Sequence, residues 1–204
     1  MLEGLQHIDQ QITLWINDFG TPGADSLWLM LSDIKVWFLA YLLIGIYLIK
    51  RLGWKRALIM IVAAALTILI VDQTANLVKN SVCRLRPCYT SYMLENGLHW
   101  SENRGGFFGF YSGHAANSFA FATTVMMALS MVEKNKYDHW LIAGVYTWAA
   151  LVSISRIMAG KHYLGDILVG AIAGSLIALA VAMLAKLIIR ALEGPSPSVS
   201  PSNP

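Results

Sequence analysis

Five stretches of this chain carry no Asp, Glu, Lys or Arg: residues 36–49, 57–71, 115–132, 140–155 and 167–185. A helix rises 1.5 Å per residue and the hydrocarbon core of a bilayer is about 30 Å thick, so about 20 apolar residues cross it. The first stretch extends back toward Leu27 across Asp33 and Lys35, and the second continues through Asp72 to Val78. The expected fold is all-α, an integral membrane bundle of five transmembrane helices in a single domain over residues 1–192. Composition points the same way. Of 204 residues 56% are hydrophobic and 13% charged, against about 25% charged in soluble domains. Mean hydropathy is +0.55. These values exclude a disordered chain, a disulfide scaffold and a nucleic-acid-binding domain, and the net charge of +3 comes from scattered Lys and Arg.

The flanking segments differ from the spans. In residues 1–19, Leu2, Leu5, Ile8, Ile12, Trp15, Ile16 and Phe19 recur at helical spacing, with Glu3, His7, Asp9, Gln10 and Asp18 between them. That pattern is an amphipathic helix, too polar to span; lying in the membrane interface and packing on the ends of the bundle fit it equally. It lacks the basic start of a secretory signal. A polar loop over residues 80–111 separates the second and third spans, and a loop so long in so short a chain is usually functional. Residues 193–204, rich in Pro and Ser, read as a disordered tail. Lys50, Arg51, Lys55 and Arg56 make the densest cationic loop, which places that end in the cytoplasm.

With five spans, four chain segments emerge together at the opposite end. Lys79 and Arg86 follow the second span, Ser112, Gly113 and His114 open the third, Ser155 and Arg156 close the fourth, and His162 and Asp166 open the fifth. Charges at membrane level are costly and normally paired or functional. Lys79, Arg86 and Arg156 offer permanent positive charge and many N–H donors, which suits a phosphate. Ser112 and Gly113 sit where a helix begins, so free backbone N–H groups point at the same anion. His162 and Asp166, one turn apart, let the carboxylate fix the imidazole tautomer and leave the other nitrogen as a nucleophile. His114 then has the task of protonating the leaving oxygen. Each piece alone has a plainer reading, as a snorkelling cation or a helix cap; the conjunction carries the weight.

These residues fall into three spaced signatures. Lys79, six residues, then Arg86-Pro87 is the first. Tyr111-Ser112-Gly113-His114 is the second, with Tyr where Pro is usual. Ser155-Arg156, five residues, His162, three residues and Asp166 form the third. Together they resemble the type 2 phosphatidic acid phosphatase superfamily. The resemblance implies a phosphohistidine on His162, oriented by Asp166, with His114 as acid and then base. Lys79, Arg86, Arg156, Ser112 and the Gly113 N–H would hold the phosphoryl oxygens, with no metal and no cofactor. It further implies a phosphorylated membrane lipid as substrate. Candidates are undecaprenyl diphosphate, phosphatidylglycerol phosphate, phosphatidic acid or a lipid A phosphate. The cationic loop at the other end puts this site on the extracytoplasmic side, and the compact single-domain build suggests a bacterial inner membrane.

A lipid phosphotransferase and a non-hydrolytic lipid or anion transporter are the alternatives, though a transporter has no need of His114 or of the His162–Asp166 pair. Arg84 and Lys161 adjoin the signatures and read as solvated or lipid-facing cations. Tyr111 with Trp100, Phe107, Phe108 and Phe110 fits either the mouth of a lipid site or interfacial anchoring. Cys83 and Cys88 can equally pair or stay free. Gly170 and Gly174 make a small-residue face for helix packing.

Overall fold

A computed structural model describes residues 2–101 and 103–194, so the expected tail falls outside the described residues from 195 onward. Among these described residues eight α-helices follow one another: α1 (Leu2–Asn17), α2 (Asp25–Ser32), α3 (Phe38–Leu52), α4 (Trp54–Val82), α5 (Ser91–Glu95), α6 (Gly113–Leu129), α7 (Lys136–Met158) and α8 (Leu164–Glu193). Among the described residues the β-structure is a single antiparallel bridge, Leu85 to Phe108. Within the described residues three helices, α4, α7 and α8, are long and apolar enough to cross a membrane. At 15 and 17 residues, α3 and α6 are shorter.

The first expected span is not one helix. Asp33 ends α2 and its carboxylate accepts the Lys35 N–H at 3.0 Å, a local bond that competes with helix continuation. Val36 and Trp37 bond back to the carbonyls of Asp33 and Ile34, and the Trp37 indole N–H donates to the Leu31 carbonyl at 2.9 Å. The chain turns here, so α2 lies along α7 while α3 packs on α4 and α6.

α6 is the central helix, in contact with α3, α4, α7 and α8. Its tightest neighbour is α8, and the reason is steric. A Cβ at Gly170 would lie 2.6 Å from the Ser112 carbonyl oxygen, and one at Gly174 would overlap the Ala116 carbonyl. Ala178, Ala182 and Ala185 continue the small-residue face along α8. The glycine pair therefore serves packing within the chain and fixes the distance between the helix that carries His114 and the one behind His162.

Large apolar side chains on α3, α4 and α8, among them Leu42, Leu66, Leu69, Leu176 and Leu184, are exposed. Polar groups gather at the two ends. At one end Asp138, fully buried near the start of α7, accepts from Arg51 Nη2 at 2.7 Å and Tyr47 Oη at 2.7 Å, and from the Asn135 N–H at 2.9 Å. Nearby, Arg56 pairs with Glu193 through Nε and Nη2 of its guanidinium. Glu193 thus belongs to α8 rather than to the tail.

α1 packs on the other end with an unusual orientation. Gln10, Thr13 and Asn17 are buried, whereas Leu5, Ile8, Ile12, Trp15 and Phe19 are exposed. The inward face thus mixes these polar residues with Leu14 and Ile16, which pack on the bundle, and the outward face carries most of the large apolar residues.

Candidate active site

The residues singled out by the three signatures collect at the α1 end. Lys79 lies in the last turn of α4, which stops at Val82 with Cys83 in the left-handed conformation. The loop then runs extended, and its two arms pair: Arg86 N–H donates to the Phe107 carbonyl and Gly109 N–H to the Arg84 carbonyl, each at 2.9 Å. Extended backbone alternates its side chains, so Arg84 and Arg86 share one side while Leu85 turns away. Both thiols are free. Cys83 is exposed, and Cys88 is buried with Met93, Leu98 and Tyr163.

Ser112 caps α6, its Oγ accepting the Ala115 N–H at 3.4 Å. Its own N–H donates to the Asp166 carbonyl at 3.0 Å, which fastens the start of α6 to the start of α8. Tyr111, which stands where the signature has Pro, is buried, and its hydroxyl meets Thr74 Oγ1 on α4 at 2.9 Å. A phenol anchored to α4 thereby holds the approach to Ser112.

Arg156, buried at the end of α7, donates from Nη1 to Ser32 Oγ at 2.8 Å. The break after α2 is what lets Ser32 face it. His162 lies in the short turn between α7 and α8 and is 2% exposed. Its Nδ1 is 3.4 Å from Asp166 Oδ2, the same oxygen that accepts the Tyr163 N–H at 3.1 Å. With Nδ1–H directed to the carboxylate, the lone pair of Nε2 is left for another partner. Burial pushes the His162 imidazole down to about 4, with Asp166 opposing and Arg86 and Arg156 adding to the fall. The ring is therefore neutral at pH 7, the state a nucleophile needs.

Gly109 shows how close these groups come. A Cβ there would lie 3.2 Å from Arg86 Cγ, 3.2 Å from Asp166 Oδ2 and 3.5 Å from His162 Nδ1. At Gly113 a Cβ would lie 3.7 Å from Lys79 Nζ. Lys79, Gly113 and His114 line a cavity of about 860 Å³. Beyond them its wall turns apolar and aromatic: Ile68 from α4, Phe121 from α6, Trp37 and Tyr41 at the start of α3, and Trp148 from α7. Asp72, on the same wall, is engaged by Asn117 Nδ2 at 2.7 Å.

Two cations read from the sequence as solvated or lipid-facing are neither. Arg84 donates from Nη1 to Asp166 Oδ1 at 2.7 Å and from Nη2 to Asp9 Oδ2 at 2.6 Å, stacked 4.0 Å above the Tyr163 ring. Burial works against its charge, and Asp166 and Asp9 more than offset this, so its pKa is raised. Lys161 is buried at 3% exposure. Sequence reasoning also passed over Ser32, Asn117, Gly109 and the role of Asp9. Arg84 had a signal, two positions before Arg86 in an extended run; Gly109 had none.

Residues 56–188 match the PAP2 superfamily. The lipid A 4'-phosphatase of Bacteroides thetaiotaomicron is 36% identical over 176 residues, covering 85% of this chain and 75% of that protein. The lipid A 4'-phosphatase of Porphyromonas gingivalis is 28% identical over 86% of this chain and 72% of its own length. Among solved structures, a transmembrane PAP2-type phosphatidylglycerolphosphate phosphatase from Bacillus subtilis superposes with a TM-score of 0.68 at 19% identity, over 91% of this chain and 88% of that one. LpxE of Aquifex aeolicus gives 0.60 at 21%, over 85% and 93%. At such identities the two structures speak for the fold. With the match over residues 56–188 and the curated phosphatase relatives beside it, this chain belongs to the PAP2 superfamily and is a membrane phosphatase.

Proposed function

We propose that the protein hydrolyses the phosphate of a membrane lipid through a phosphohistidine on His162. The observation that carries the reading is the cavity of about 860 Å³, whose lining passes from Lys79, Gly113 and His114 to Trp37, Tyr41, Phe121 and Trp148. A phosphate fits the first set and a hydrocarbon chain the second, so one pocket accommodates both halves of an amphiphile.

In this mechanism Nε2 of His162 attacks phosphorus, an N–P bond forms and the ester P–O bond breaks. The leaving oxygen takes a proton from His114. His114 then accepts a proton from water, which attacks the phosphohistidine, breaks the N–P bond and frees phosphate. Lys79, Arg86, Arg156, Ser112 and the Gly113 N–H hold the phosphoryl oxygens as charge builds on them. Asp166 keeps the imidazole in one tautomer and stabilises the cation formed on attack. Five helices (α3, α4, α6, α7 and α8) cross the bilayer, the phosphate site faces the extracytoplasmic side, and the outward apolar residues of α1 sit in the interface.

A phosphate on a lipid A-type glycolipid is the leading substrate, supported by the two curated relatives. Phosphatidylglycerol phosphate, phosphatidic acid and undecaprenyl diphosphate are its competitors. Phosphate release from a panel of these four in detergent tests the reading. Preferential release from the glycolipid, abolished by His162→Ala, is expected; turnover that survives this substitution contradicts the covalent route.

A further inference from the structure

α1 reaches the start of α8 at two points and the end of α7 at a third. Asp9 Oδ1 accepts the Gly165 N–H at 2.8 Å, Thr13 Oγ1 accepts the Leu164 N–H at 3.0 Å, and Asn17 Nδ2 donates to the Ile157 carbonyl at 2.8 Å. The first two acceptors satisfy N–H groups that the opening turn of a helix leaves without partners. The other oxygen of Asp9 accepts Arg84 Nη2, and Arg84 Nη1 reaches Asp166. A continuous chain, Asp9–Arg84–Asp166–His162, therefore runs from α1 to the imidazole.

Charge explains why the chain has this composition. A guanidinium on Asp166 draws the carboxylate away from His162 and weakens its support of the imidazolium formed on attack. A second carboxylate on the same guanidinium returns part of that charge. The pair His162 and Asp166 is otherwise faced mainly by cations: Lys79 from α4, Arg86 from the loop and Arg156 from α7. Tyr163 and Lys161 lie beside it in the turn, and His114 opens the neighbouring helix.

We infer that Asp9 is a positioning residue for the reaction, neutralising and aiming Arg84 so that Asp166 serves His162. The inference rests on the phosphohistidine reading. Asp9→Asn keeps an acceptor for Gly165 but removes the charge. It is expected to slow single-turnover formation of the phosphoenzyme from a ³²P-labelled lipid phosphate by about 10–100-fold, the range for groups acting through a ligand's neighbour, with KM little changed. Arg84→Gln frees Asp166 for His162 and is expected to move the acid limb of the kcat/KM profile to higher pH. In the double variant the Asp9→Asn loss is expected to vanish, because Arg84 is no longer there to be neutralised. Phosphoenzyme formation at the wild-type rate in Asp9→Asn overturns the inference, as does a loss that simply adds to that of Arg84→Gln. Absence of phosphoenzyme in the wild-type protein, with turnover intact, instead overturns the covalent reading.

Discussion

Asp138 and Asp166 are the same local device placed at opposite ends of the bundle. Each is the third residue of a long helix, fully buried, bonded to a backbone N–H just before the helix and paired with an arginine from another element. They differ in what shares the carboxylate. Asp138 divides its oxygens among Arg51, Tyr47 and Asn135, and every partner is architectural. Asp166 gives Oδ1 to Arg84 and Oδ2 to Tyr163 N–H and His162. On the proposed phosphohistidine reading, a capping carboxylate joins the chemistry when an imidazole stands where the other end has a phenol, because Nδ1 meets the carboxylate and Nε2 is directed elsewhere.

Exchanging each aspartate for asparagine breaks this comparison most directly. Asp166→Asn is expected to lower turnover by about 10³–10⁴-fold, the scale seen when the partner that fixes a catalytic tautomer is neutralised. Asp138→Asn is expected to leave turnover per folded molecule unchanged while lowering the melting temperature, since Arg51 and Tyr47 lose their charged acceptor; thermal melts in detergent measure it. Equal kinetic losses at both positions would erase the distinction. Next in size, Gly170→Ala pushes a methyl group toward the Ser112 carbonyl and is expected to cost about 1–3 kcal/mol. Its kinetic effect belongs to the Asp166 end, because Ser112 is the link between α6 and α8.

A pH profile sharpens the contrast without mutation. His162 has its pKa lowered by burial to about 4. It is neutral and nucleophilic above that pH and protonated below it, so kcat/KM is expected to fall as pH drops through about 4. An acid limb at the ordinary histidine value of about 6.5 would contradict the burial of the ring. The smallest expected effect is that of EDTA, which should leave phosphate release from the lipid panel undiminished; loss restored by Mg²⁺ would contradict a centre run on three cations.

Much of this end of the molecule was legible in the sequence. The charge-free runs marked α4, α7 and α8, and the spaced signatures marked Lys79, Arg86, Ser112, Gly113, His114, Arg156, His162 and Asp166, because spacing along helices and turns is a local property. What escaped depends on contacts remote in the chain. Nothing near Ser32 announces Arg156, 124 positions away. The periodicity of α1 revealed two faces but not which one turns inward, since in lipid the apolar face can be the outer one. The split between α2 and α3 was hidden because Asp33 and Lys35 looked like a tolerable interruption of an apolar run, whereas the Asp33 carboxylate bonds the next turn and ends the helix.

The docking of α1 also has a consequence for how the protein comes into being. Asp9 and Gly165 are 156 positions apart, so α1 finds this seat only after α8 has been made and inserted. Until then the opening N–H groups of Leu164 and Gly165 lack the acceptors that Thr13 and Asp9 supply.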